Sequence, residues 1–218
     1  MSIVITGATG HLGRLVVESL LERGAEGIVA TGRSPERLAD LAERGVRVER
    51  LDFDDVPDSV DWLAPGDVVL LVSGSEVGRR VPQHRAVVEL AARSGVRRIV
   101  YTSAPAADDT TLTVAPEHAA TEALIRESGV PFTFLRNGWY TENYAQTFEQ
   151  ARETGVVLGS AGDGAVASAT RDDFAEAAAA VLTTDGHDGA AYELTGDEAW
   201  TFADLAGAFG DALGREVS

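Results

Sequence analysis

Apolar positions along this chain alternate between short aliphatic runs and longer amphipathic stretches. Ile3-Val4-Ile5, Ile28-Val29-Ala30-Thr31, Asp67 to Val72, Arg98 to Ser103, Pro131 to Arg136 and Ala191 to Leu194 have the β-branched, strand-like composition of buried strands. Val46 to Leu51 alternates with a period of two, as a half-buried strand does. The nearly all-apolar Asp67 to Val72 predicts a central parallel strand. Between these runs, helical spacing covers His11 to Arg23 and Pro35 to Arg44, with Ser34 as N-cap. It recurs in a short stretch at Val56 to Leu63, then at Val81 to Ser94, Pro116 to Ser128, Thr170 to Leu182 and Thr201 to Leu213. Asn137 to Tyr144 opens a further helix, to about Arg152, and Val156 to Leu158 and Val166 to Ser168 read as short strands. Ala104 to Ala115 has no periodicity and is a long loop, of the kind that forms lids. Strand and helix alternating in this way predict an α/β fold with a doubly wound parallel sheet.

Composition narrows the chemistry. With 218 residues and 44% hydrophobic content, a single α/β domain is the default. There is no cysteine, hence no disulfide, cysteine metal site or thiol nucleophile, and the four histidines lack metal-ligand spacing. The net charge of −17 argues against a nucleic-acid partner. No apolar run is long enough to span a bilayer and no signal-peptide pattern is present, so a cytoplasmic protein is expected. All 18 basic residues are arginine. Mechanisms that need a lysine are therefore excluded, including carbonyl reduction by a tyrosine whose pKa an adjacent lysine lowers.

The first aliphatic run leads directly into Thr6-Gly7-Ala8-Thr9-Gly10-His11-Leu12-Gly13 and then a helix. Strand, spaced-glycine turn and helix form the context for dinucleotide binding in a Rossmann-type fold. Gly7 supplies a special backbone conformation, Gly10 allows close approach of a pyrophosphate, and Gly13 lets the helix pack on the strand. Thr9, His11 and Leu12 complete the turn and the helix N-terminus, where N–H groups attract an anion. Twenty residues beyond Gly13, at the end of the second strand, stands Arg33. An acidic residue there would bind ribose hydroxyls; a guanidinium pairs instead with a 2′-phosphate, which predicts NADPH. Ser73-Gly74-Ser75 and Thr102 end central strands at the edge where ligands of open α/β sheets bind. A quinone suits a site without a lysine-activated acid, because it accepts hydride readily and needs mainly positioning.

Several segments in order carry a family resemblance: Ile5 to Gly13, Ser73 to Gly78, Gln83-His84-Arg85, Val100 to Ser103, Glu117 to Glu122 and Leu135 to Tyr144. Together they resemble the NmrA-like atypical short-chain dehydrogenases/reductases, and within them the type 2 NADPH:quinone oxidoreductases. The resemblance implies a Rossmann domain over 1–136 and a small substrate-side lobe over 137–218, interleaved with it. It places Asn137, Gly138 and Trp139 beside the nicotinamide, and Tyr140 and Asn143 where they stack on or hydrogen-bond a quinone. The alternative for Trp139 and Tyr140 is a pair of core aromatics pinning a helix start, and for Asn143 a satisfied buried amide. His84 and His118 are expected to be structural, although His118 follows the long loop and could face substrate. Glu117 and Glu122 read as solvated helix residues. Members of the family continue into a further helical segment beyond the equivalent of Val217. This sequence ends at Ser218, so a shortened α/β lobe is expected, whether truncated or naturally small. The implied activity is hydride transfer from NADPH to a quinone or similar acceptor, by a protein compatible with a homodimer. The other reading is an NAD(P)-binding redox sensor without turnover. A sugar-nucleotide epimerase ranks third, since it too needs the tyrosine–lysine pair.

Overall fold

The computed structural model describes residues 1–218, which divide into two compact units, Met1–Asn137 with Asp172–Leu194, and Gly138–Arg171 with Thr195–Ser218. In the first, seven strands make one parallel sheet: β1 (Ile3–Ile5), β2 (Ile28–Gly32), β3 (Arg47–Arg50), β4 (Val68–Leu71), β5 (Arg98–Ser103), β6 (Phe132–Asn137) and β8 (Ala190–Leu194). Their order is β3-β2-β1-β4-β5-β6-β8, with parallel register throughout. The strand order reverses between β1 and β4. That reversal opens the crevice in which Rossmann-type sheets hold dinucleotides.

Burial follows the pleat. Val4, Val69, Leu71, Ile99, Tyr101 and Phe134 join one apolar cluster with Val87, Val88, Leu90 and Ala91 of helix α3 (Arg80–Arg93). Their strand neighbours Ile5, Leu70, Val100 and Leu135 are equally buried and point to the opposite face. Both faces are therefore apolar, which is why the central strands read as continuous hydrophobic runs. Helices α1 (His11–Glu22), α2 (Ala39–Glu43) and α4 (Ala115–Glu127) join α3 in covering the sheet. So does α6 (Arg171–Thr183), most of which belongs to the first unit.

The second unit holds a 3-10 turn at Thr141–Tyr144, helix α5 (Ala145–Thr154) and a two-stranded antiparallel ladder. The ladder pairs β7 (Ala165–Val166) with β9 (Trp200–Thr201), and β9 leads into helix α7 (Phe202–Leu213). Thr201 and Asp204 form a reciprocal capping box at the start of α7, and Gly214 ends it in the left-handed conformation.

Four local expectations change. Val56 to Leu63 is irregular rather than helical. Pro57 removes a donor and disfavours a helical Val56, while Trp62 and Leu63 join the core cluster through tertiary packing alone. Pro35 to Arg44 is a 3-10 turn (Pro35–Leu38) joined to the short α2, and Ser34 makes no side-chain cap. The helix expected to open at Asn137 starts as the 3-10 turn at Thr141, because Asn137 completes β6. Val156 to Leu158 forms no strand; Val156 and Leu158 are exposed and have no apolar face to line. No helix is long and apolar enough to cross a membrane.

Candidate functional site

The glycine turn is held from both sides. Thr6 N–H donates to the Leu70 carbonyl (3.0 Å) and Ala8 N–H to that of Thr31 (2.9 Å), so the turn is tied to β4 and β2 together. Gly7 adopts φ +61, a left-handed geometry that favours glycine. A Cβ on Gly13 would fall 2.5 Å from the Gly7 carbonyl oxygen, so only glycine lets α1 approach β1 this closely. Gly32, at the end of β2, has the same constraint: its Cβ would lie 2.6 Å from Thr9 Cγ2. Thr9 thus packs its methyl over the end of β2. Gly10 caps α1 with no side-chain hydrogen bond, and the first turn carries no acidic residue. The N–H groups at His11, Leu12 and Gly13 therefore face an electropositive helix end with no side-chain oxygen satisfying them. That geometry and charge fit the pyrophosphate of a dinucleotide.

Arg33 projects from the end of β2 with two-thirds of its side chain exposed. Its guanidinium lies 3.5 Å from the Glu76 carboxylate. Glu76 also pairs with Arg79 at 3.0 Å, so a single carboxylate restrains two cations beside the exit of β4.

That exit is fixed by a set of contacts from α3, α4 and β5. Ser73 N–H donates to Thr102 Oγ1 (2.8 Å) and Gly74 N–H to His84 Nε2 (3.0 Å). Arg80 Nε donates to the Gly74 carbonyl (2.8 Å). Gly78 N–H and Arg80 both donate to Glu117, each at 2.9 Å. Thr102 is buried, so its hydroxyl holds the segment rather than lining the surface; Ser75 is exposed. Since Gly74 donates to Nε2, the His84 proton sits on Nδ1, 3.0 Å from Thr121 Oγ1. The Thr121 hydroxyl in turn donates to the Glu117 carbonyl (2.8 Å). Burial, reinforced by the Arg80 charge, pulls the His84 pKa down to about 3, which keeps the ring neutral and Nε2 an acceptor.

Residues expected to be solvated prove otherwise. Glu117 is mostly covered in its pair with Arg80, and Glu122 is fully buried. Glu122 accepts from Ser103 Oγ (2.7 Å) and from Arg136 through both carboxylate oxygens. Their i, i+5 spacing on α4 carried no signal, because a helix with charges among alanines reads equally well as a surface helix. His118 does not face open solvent; it is buried with Nδ1 2.7 Å from the Tyr101 hydroxyl. Burial lowers its pKa to about 4 and raises that of Tyr101, so both stay neutral. The long loop after β5 is anchored at its first half. Ala106 N–H donates to Glu193, and Asp108 lies 3.1 Å from Arg136.

The segment after β6 builds a second group of residues. Asn137 is buried at the strand end and Gly138 follows it. Thr141 N–H donates to the Ala169 carbonyl (2.9 Å) and Ala169 N–H to that of Trp139 (3.2 Å), pairing the segment with 167–170. Trp139 is half exposed, which rules out a core aromatic there. Tyr140 is partly buried and Asn143 exposed. Arg171, which the sequence reading did not single out, joins them. Its guanidinium carbon stands 5.1 Å from the Tyr140 ring centre and Nη2 3.3 Å from Asn143 Oδ1. The backbone N–H of Arg171 donates to Glu142, at 2.9 and 3.1 Å from the two carboxylate oxygens. A glutamate two residues after Tyr140 was the available clue, since a carboxylate suits a helix N-terminus.

Residues 7–185 match the profile of a family described as NAD(P)H-binding. Quinone oxidoreductase 2 of Escherichia coli strain K12 is 46% identical to this chain over 217 residues, covering 99% of it and 76% of that protein. The crystal structure of an NADPH-dependent quinone oxidoreductase from Escherichia coli, complexed with NADPH, superposes with a TM-score of 0.93 at 46% identity. It covers 99% of this chain and 77% of that one. Citrobacter sp. triphenylmethane reductase, complexed with NADP(H), also gives a TM-score of 0.93, at 36% identity, over 100% of this chain and 78% of that one.

Proposed function

The chain belongs to the NAD(P)H-binding family, and on that premise we propose that it reduces a quinone or similar small acceptor with NADPH. It is an oxidoreductase with a Rossmann-type fold, and NADPH is its cofactor. NADPH supplies the hydride. In this reading Gly7, Thr9, Gly10, His11, Leu12 and Gly13 receive the pyrophosphate at the uncapped end of α1. Arg33 pairs with the 2′-phosphate at the end of β2. Ser73, Gly74 and Ser75 run along the ribose, held in place by Thr102, His84 and Arg80. Asn137, Gly138 and Trp139 bind on the nicotinamide side, while Tyr140 and Asn143 act on the acceptor.

The observation that carries the choice of acceptor is the absence of lysine. The buried tyrosine, Tyr101, has its pKa raised by burial, and its hydroxyl is engaged with His118. With no lysine in the chain, the tyrosine–lysine pair that simple carbonyl reduction demands is absent. A quinone needs orientation more than acid catalysis, because its reduced form is a weakly basic phenolate. The quinone oxidoreductase similar to this chain supports that acceptor class. The reading also makes the protein cytoplasmic, without a nucleic-acid partner, and compatible with a homodimer.

Stopped-flow oxidation of NADPH by simple benzoquinones tests it. Rapid oxidation above the uncatalysed rate is expected. Tight cofactor binding with no oxidation above background would overturn the enzyme reading and favour a cofactor sensor.

A further inference from the structure

Arg171 has a chemical property that the residues around it lack: a guanidinium donates hydrogen bonds and never accepts them. The amide atom of Asn143 that faces Arg171 Nη2 at 3.3 Å must therefore be the oxygen. With Oδ1 turned to Arg171, the NH2 group of Asn143 is directed away from it. The same guanidinium stands 5.1 Å from the Tyr140 ring centre, so one ring face is taken by a cation. Arg171 is itself held: its backbone N–H is bonded to Glu142, and Nη1 lies 3.9 Å from the same carboxylate.

We propose that Arg171 is a positioning residue for the acceptor: it fixes the Asn143 amide with its NH2 presented as a donor to an acceptor oxygen. This rests on the quinone reading above and sharpens it. The group presented suits a quinone carbonyl, which only accepts hydrogen bonds. It is mismatched to a hydroxyl that must donate. It also gives the chain a neutral donor at the place where negative charge builds on the quinone oxygen during reduction. In that reaction the hydride and its two electrons pass from NADPH to the quinone, giving NADP+ and the hydroquinone anion. A proton from solvent completes the hydroquinone.

The test uses binding, which needs no turnover. Protein saturated with NADP+ is titrated with menadione and followed by quenching of tryptophan fluorescence. Arg171→Met is expected to raise the menadione Kd about tenfold, the size of one lost oriented hydrogen bond, and to leave the NADPH Kd within about twofold. Arg171→Lys, still a pure donor, is expected to stay within about threefold of the parent. Asn143→Asp keeps the contact with Arg171 but has no donor to offer. Because position 143 is exposed, the fold should tolerate the change, and its menadione Kd is expected to rise at least as far as that of Arg171→Met. Parent-like menadione binding by Arg171→Met or by Asn143→Asp overturns the proposal. A parent protein that neither binds nor reduces any quinone overturns the quinone reading itself, and this inference with it.

Discussion

Glu122 and Arg136 form a two-pronged ion pair inside the first unit, with Nε and Nη2 of the arginine at 2.9 and 2.8 Å from the two carboxylate oxygens. The carboxylate is fully buried and the guanidinium nearly so. The pair spans from α4 to the end of β6, and Glu122 also holds Ser103 at the end of β5. Attraction to Glu122 raises the Arg136 pKa, so the arginine stays charged under all ordinary conditions. Its value lies less in net stability than in what happens when it is broken. Arg136→Met would leave the buried Glu122 carboxylate with only the single contact from the half-exposed Arg126 (3.2 Å), at a cost of up to about 3–5 kcal/mol. Replacing both residues with methionine should recover much of that loss, since an apolar pair needs no desolvation. Urea unfolding of the two single variants and the double variant checks this. A single variant as stable as the parent would show that water reaches the pair.

The approach of Thr9 to Gly32 gives a second expectation, this time about packing. An alanine at position 32 would set its Cβ 2.6 Å from Thr9 Cγ2 and 2.9 Å from Thr9 Oγ1. Gly32→Ala should therefore destabilise the protein by about 1–3 kcal/mol, the usual cost of overfilling a packed site. Thr9→Ala removes both offending atoms. The double variant should regain most of the loss, giving a coupling that exceeds simple additivity. Thermal unfolding of the four proteins in the cycle measures it.

The neutral histidines predict an acid-sensitive fold. The folded-state pKa falls to about 3 at His84 and about 4 at His118, both below the 6.5 of an unfolded histidine. Between these values the unfolded chain binds more protons than the folded one, so stability rises with pH across the window. The contribution is complete above about pH 6.5 and declines as pH drops towards 4, by up to about 1.4 kcal/mol per pH unit for each histidine. His84→Gln removes one of the two titrations and retains an acceptor for Gly74. Its urea midpoint should change less between pH 6.5 and 4 than that of the parent.

These residues also show what the sequence could and could not reveal. The sheet was legible because strands buried on both faces leave unmistakable aliphatic runs. The glycine turn was legible because Gly7 and Gly13 meet steric demands that no other residue satisfies. The supports of the site were not legible. Glu117, Glu122 and Arg80 are charged residues in helices, and sequence periodicity cannot distinguish a buried, paired charge from a solvated one. His84 is identified as an acceptor only by the Gly74 N–H ten residues away. Arg171 comes to Tyr140 and Asn143 from about thirty residues further along the chain, a relation that no local pattern encodes. Val56 to Leu63 misled in the other direction, because apolar spacing was present but Pro57 and tertiary packing determined the backbone.

Cofactor choice turns on the charges at the end of β2. Arg33 offers a cation at the end of β2, but Glu76 lies 3.5 Å from it and would also lie close to a 2′-phosphate paired with that arginine. On the proposed pairing of Arg33 with the 2′-phosphate, NADPH has to draw Arg33 from Glu76, whereas NADH, lacking the phosphate, makes no such demand. On that placement Arg33→Asp should weaken NADPH binding far more than NADH binding, because it sets a carboxylate against the 2′-phosphate. Glu76→Gln should act in the opposite sense, tightening NADPH binding by up to about fivefold, the scale of an exposed ion pair of up to about 1 kcal/mol. NADH affinity should hardly change, and the gain for NADPH should shrink as salt is added. Fluorescence titrations of both cofactors at low and high ionic strength measure each effect. Equal losses for NADPH and NADH in Arg33→Asp would mean that Arg33 does not read the 2′-phosphate.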